Sequence, residues 1–186
     1  MRRFVIIDLP IRRNYVMRNN DETMRQDGTR VWVTLTLAEL LHGTTVGALR
    51  SHESRAQNLE KGTHGLNADE EDLLAMDING ALGELCVAKV LNKYWDGGVN
   101  TYKGADIGDS IQVRTRFRHT YDLLVRDRDN PSHFYFHVTG MYPQYCVRGW
   151  MKGSNAKDVK YLAGHGGRPP AYFVPESDLN PINIKP

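Results

Sequence analysis

The hydrophobic positions of this chain recur at two different periods, and the change from one to the other divides it. From Leu37 onward the apolar residues Leu37, Leu40, Leu41, Val46 and Leu49 keep the three-to-four-residue spacing of a helix that reaches Arg55. Thr36 ahead of Glu39 supplies a capping box at its start. A second such pair, Asn67 and Glu70, opens another helix with an acidic first turn, expected to run to Tyr94 and to bend or break near Gly80. Beyond it the period becomes two. Strands are expected over 102–107, 110–116, 121–126, 134–139, 145–151 and 171–174, with turns at Gly108-Asp109 and over 127–132. Ahead of both helices, 4–10 and 30–35 read as strands, separated by a basic loop or arm over 10–29 that ends in the turn signal Asp27-Gly28. Glycine, lysine and proline over 152–170 predict a mobile surface segment with one helical turn at 156–162, and the tail after Pro175 is expected to pack little.

This order predicts an α+β fold: a helical N-terminal half, then a mixed sheet carrying helices mainly on one face. At 186 residues, 40% of them hydrophobic, the chain suits one domain with a core large enough to fold alone. Within that domain, 1–30 form a strand and basic arm, 31–95 are mainly helical and 96–186 mainly strands. The opening run FVIIDLP is too short for a signal peptide core or a membrane span, so a cytoplasmic location is expected and no membrane partner. Cys86 and Cys146 fall in a helix and a strand, as buried free thiols do in a reducing compartment. The net charge of +2 permits a nucleic-acid partner without demanding one. Its distribution is more pointed: Arg114, Arg116, Arg118 and Arg126 stand against Asp122 alone, and six arginines against three acids in residues 1–25. Either cluster suits a phosphate backbone or a solvated face.

The chemistry is concentrated between Asn79 and Arg116. On a helical wheel Glu84 falls with Val87, Ala88, Leu91 and Trp95, opposite Lys89 and Lys93, so its carboxylate faces inward. A buried carboxylate requires a cation, a metal or hydrogen-bond donors. Gly80 and Gly83 each cost such a helix about 1 kcal/mol against alanine and point to close approach by another element. In the strand that follows, Gln112, Arg114 and Arg116 share one face and Ile111, Val113 and Thr115 the other, with Asp106 at the end of the preceding strand near Gln112.

A helical Gly-Glu, an aspartate at a strand end and a polar pair two residues apart on the next strand resemble the core of the PD-(D/E)XK nuclease superfamily. That resemblance implies a restriction-endonuclease-like mixed β-sheet and Mg²⁺ or Mn²⁺ held by Glu84, Asp106 and Gln112. Gln112 stands at the usual acidic position and Arg114 at the usual lysine. Glutamine offers a metal a carbonyl oxygen without charge, and arginine can stabilise phosphate charge but cannot deprotonate. The motifs GALGEL, QVRTR, RGW and PPAYFVP also resemble a family of phage and prophage proteins of unassigned role. The reading implied is a metal-dependent nuclease, a hydrolase acting on DNA in a bacterial host cell, with Glu84, Asp106, Gln112 and Arg114 catalytic and Arg114, Arg116 and Arg118 on the DNA backbone. Many structure-selective enzymes of this type are homodimers. The alternatives are a nuclease-like protein that binds nucleic acid without cutting it, and a phage factor that binds another protein.

Overall fold

The computed structural model describes residues 23–57, 69–99, 104–164 and 167–182. It opens on an antiparallel hairpin of β1 (Met24–Asp27) and β2 (Arg30–Thr34), turned at Gly28 with φ 60°, a conformation that glycine adopts freely. The long helices α1 (Leu37–Ala56) and α2 (Glu70–Val90) follow. After them come β3 (Ile111–Arg116), β4 (Leu123–Val125), β5 (Phe134–Met141) and β6 (Gln144–Lys152). A short helix α3 (Gly153–Ala156), β7 (Leu162–Ala163) and β8 (Ala171–Val174) complete the chain of elements. The main sheet has the order β1-β2-β6-β5-β3, and β4, β8 and β7 form a smaller one. Among the described strands only β3 and β5 pair in parallel, so the main sheet is mixed and the fold α+β.

The N-terminal half is not helical as a whole. Its hairpin enters the main sheet through β2 and β6, with Val31 and Val33 wholly buried, and 24–27 are strand rather than loop. The expected strand at 4–10 and the capping residue Asn67 lie outside the described residues. Asp69 caps α2 instead, its side chain accepting from the Asp72 N–H, and the helix runs unbroken through Gly80 to stop at Val90.

The capping box of α1 forms: Thr36 Oγ1 accepts from the Glu39 N–H and the Glu39 carboxylate accepts from the Thr36 N–H. Thr36→Ala should therefore cost about 1 kcal/mol. Urea unfolding measures it, and an unchanged midpoint would remove the cap from the account. The buried face of α1 is another matter. Leu37, Leu41 and Leu49 are exposed, while Gly43, Val46, Gly47, Ser51 and Ser54 are buried. A Cβ on Gly47 would stand 2.4 Å from the Ile78 Cα, and one on Gly43 2.5 Å from Leu82 Cδ2. The two helices thus meet backbone to backbone, and small residues rather than the leucine stripe mark the contact.

The other side of α2 lies on the sheet. Ala81, Leu82, Cys86 and Val87 join Val31, Val33, Val113, Phe136, Val138 and Val147 in the main core. On the opposite face of the sheet Tyr135 and Met151 pack with Leu123, Val125, Ala156, Tyr161 and Val174. The segment expected to be mobile is therefore built into this second core through Ala156 and Tyr161. Nor is the tail loose as far as Ile182, where the description ends: Glu176 pairs with Arg30 and Arg148, Asn180 bridges to Trp150, and Ile182 is buried. Both cysteines are free and buried. Among the described residues no helix is long and apolar enough to cross a membrane.

Candidate active site at the edge of the sheet

Among the described strands β3 ends the main sheet, so one row of its backbone groups has no described strand beside it. Residues 105–107 run back along that edge. The Asp106 N–H donates to the Ile111 carbonyl at 2.9 Å, Ile107 bridges Ile111, and Gly108 turns the chain at φ 56°. Further along, Asp106 Oδ2 accepts from the Val113 N–H at 2.7 Å, where a neighbouring strand would have placed a carbonyl. The Asp106 carboxylate is thereby held beside the edge, level with the sheet and between its two faces. The predicted turn is present, but 104–107 form a single bridge at Ile107 rather than the expected strand, and 100–103 lie outside the described residues.

On the helical face stands Glu84, buried as its position on the wheel predicts. Arg50 of α1 grips it at both oxygens, Nη1 to Oε1 at 2.6 Å and Nη2 to Oε2 at 2.8 Å, and Trp95 Nε1 donates to Oε2 at 3.0 Å. Arg50 Nε in turn donates to the Gly98 carbonyl at 2.8 Å. Burial, and after it the negative charge of Asp106, nonetheless push the Glu84 carboxyl up to about 7, overriding both donors. Asp106 is raised as well, by burial, against the charges of Arg114 and Arg50. Gly83 explains the tight fit of α2 here, since a Cβ would fall 1.9 Å from Thr115 Oγ1. Gly80 has nothing within 4 Å and serves no such contact.

Gln112 and Arg114 share a face, as the alternation predicts, but it is the face away from α2. Val113 and Thr115 are turned to the helix, so strand pleating turns their neighbours the other way. Arg114 stacks over the Tyr135 ring at 5.1 Å and pairs with Asp129 at 2.9 Å. Gln112 Nε2 donates to the Gly104 carbonyl at 2.9 Å, and its Oε1 accepts from Arg114 Nη1 at 3.4 Å. Asp106 thus lies within the electrostatic reach of both faces, next to Glu84 and Arg50 on one and Arg114 and Asp129 on the other. The structure brings Glu84 and Arg114 each within electrostatic reach of Asp106. It does not bring Gln112 to Glu84. Arg116 stacks on Tyr121 at 4.8 Å, with Arg118 exposed on the same ring at 5.9 Å.

Among the described residues no group of three or more His, Cys, Asp or Glu side chains is placed to hold a metal. What the edge offers is the carboxylate pair Glu84 and Asp106. Oxygen donors of that number fit a hard cation that keeps most of its waters, as Mg²⁺ does, and Gln112 stands outside the set. Arg50, Trp95 and Asp129 were beyond sequence reasoning as partners. Trp95 shares the Glu84 face of the wheel, which hints at it; nothing in the pattern of α1 singles out Arg50, because the leucine stripe points to a different face. Compared with protein-family models, curated proteins and solved structures, the chain finds no match.

Proposed function

We propose that this protein is a divalent-metal-dependent nuclease acting on DNA, with Glu84 and Asp106 as its metal-holding carboxylates. The observation that carries the reading is the buried pair itself. Two acids at the outer edge of β3, one of them shifted to about 7 by burial and its neighbour, form a negative point that a small cation would relieve. Mg²⁺ or Mn²⁺, when bound, supplies Lewis-acid polarisation of a phosphate and a bound water of lowered pKa. Arg50 and Trp95 fix the direction of the Glu84 carboxylate. The Val113 N–H fixes Asp106. Arg114, oriented by Asp129, would hold the scissile phosphate as a permanent cation rather than act as a base. Arg116 and Arg118 would follow the strand on either side, and the phage-related and cytoplasmic setting belongs to the same proposal.

A second reading rests on a specific contact. Arg50 already occupies both oxygens of Glu84, which lowers the charge available to a metal and favours a nuclease-like protein that binds DNA without cutting it. Plasmid, branched and single-stranded DNA incubated with Mg²⁺ or Mn²⁺ separate the two. The nuclease reading expects metal-dependent cutting that Asp106→Asn and Glu84→Gln abolish, the first keeping an acceptor for the Val113 N–H and the second keeping one of the two acceptor oxygens at Glu84. Full cutting by Asp106→Asn would sink the assignment. Salt-sensitive binding with no cutting by the unaltered protein would establish the second reading instead.

A further inference from the structure

The face of the main sheet turned away from α2 carries arginines and a histidine whose buried nitrogens are unmet. At its centre is His137 of β5, wholly buried and in register with Arg114 of β3. Neither of its ring nitrogens has a hydrogen-bond partner among the described residues, and the same holds for the buried Nε of Arg126 and of Arg148. Arg126 follows β4, and Arg148 lies on β6 at the irregularity in its pairing with β5. Arg116 stands two residues along β3 from Arg114 and so on the same face.

Two of the acids nearby are already committed, and a third, Asp122, is exposed and reaches Arg116 through its charge. Asp129 takes Arg114 and the Arg126 N–H, and Glu176 takes Arg30 together with the Nη2 of Arg148. The charges that face His137 are all positive, and arginines outnumber the one acid that faces Arg126. Burial, then the charges of Arg148 and Arg116, push His137 down to about 3. Burial, then the charge of Arg114, with Arg128 and Arg116 behind it, depress Arg126 to about 10 despite Asp129. Buried polar groups in folded proteins are nearly always paired, and like charges are rarely packed together without a counter-ion. A water would satisfy a donor and leave the repulsion; an anion with several acceptor oxygens answers both. The rim lies toward Tyr121, a residue 40% exposed.

We propose that His137, Arg116, Arg126 and Arg148 bind a phosphate group, either free or at the end of a nucleic-acid strand. The site shares Arg116 with the proposed DNA path but lies across the sheet from Glu84, and it stands whether or not the carboxylate edge cuts DNA.

The test is made on the whole protein in EDTA at constant ionic strength, so that cleavage plays no part. Inorganic phosphate should raise the unfolding temperature in a dose-dependent way that chloride does not reproduce. Arg126→Met should lower phosphate affinity by at least roughly thirtyfold, the equivalent of one lost buried charge pair, while raising the unfolding temperature of the phosphate-free protein. His137→Phe, which keeps the shape and removes both nitrogens, should weaken the phosphate response as well. Oligonucleotides with a 5′-phosphate or a 5′-hydroxyl identify the source: tighter binding of the phosphorylated one assigns the site to strand ends, and equal binding with an intact phosphate response assigns it to the free ion. A phosphate response no larger than that to chloride, or one that survives in both variants, would overturn the proposal.

Discussion

Arg50→Ala is expected to lower stability by about 3–5 kcal/mol near pH 8, the scale on which breaking a buried ion pair leaves the other charge uncompensated. The variant strips Glu84 of both its guanidinium contacts and leaves it with Trp95 alone, buried and within reach of the Asp106 charge. Because the penalty is one of charge, it should shrink near pH 5, where Glu84 can take up a proton instead. Urea denaturation at the two pH values reads the difference. Adding Glu84→Gln should recover most of the loss near pH 8. An equal loss at both pH values would mean that Arg50 acts through packing and its bond to Gly98.

The unaltered protein should carry the same signature. Glu84 has a folded pKa of about 7 against an ordinary value of 4.5, so the folded state binds more protons in that interval. Stability is fully present below about 4.5 and is lost as pH rises toward about 7, by a total on the order of 3 kcal/mol. His137 acts in the opposite sense. Its folded pKa of about 3 lies below the ordinary 6.5, so stability is present above 6.5 and is lost as pH falls toward 3. Over the overlap the two slopes oppose each other. The expected profile is a broad maximum in the mildly acidic range with a fall on either side, and Glu84→Gln should remove the fall on the neutral side.

Gly47→Ala comes next in size. Alanine at an interior helix position is worth about 1 kcal/mol over glycine, so propensity alone predicts stabilisation. Packing reverses the sign. The new methyl would stand 2.4 Å from the Ile78 Cα, 2.8 Å from its N and 2.9 Å from the Asp77 carbonyl oxygen, all backbone atoms of α2 that cannot turn aside as a side chain can. The helices would have to separate, and overpacking of this kind costs about 1–3 kcal/mol or more. A net loss of up to about 2 kcal/mol is expected after the propensity gain. Gly80→Ala is the control, with nothing within 4 Å of its added carbon; it should stabilise by up to about 1 kcal/mol. Parallel chemical denaturation of both settles the matter, and stabilisation by both would mean that α1 and α2 do not approach as closely as described.

These glycines also show where sequence and structure part. Gly80 and Gly83 carry the same propensity penalty and sit three residues apart, yet only Gly83 meets a neighbour, Thr115. No local rule separates them, because the separation depends on where β3 runs. The leucines of α1 mislead for the same reason. Periodicity registers where apolar residues fall, whereas α1 buries the face on which the absence of side chains lets α2 come close.

What the sequence determined by itself was local. It set the capping box of α1, the turns at Gly28 and Gly108, the alternation along β3, the inward direction of Glu84 and the α+β class, since each follows from interactions within a few residues. Only the tertiary structure decided which partners those side chains found. The parallel pairing of β3 with β5 leaves one edge of β3 open to Asp106, and α2 over Val113 and Thr115 turns Gln112 and Arg114 to the other face. Arg50 reaches Glu84 across 34 residues of chain, and Arg148 and Arg116 come to bear on His137 from different strands. Contacts between segments far apart in sequence are set by the packing of whole elements, which has no period of its own along the chain.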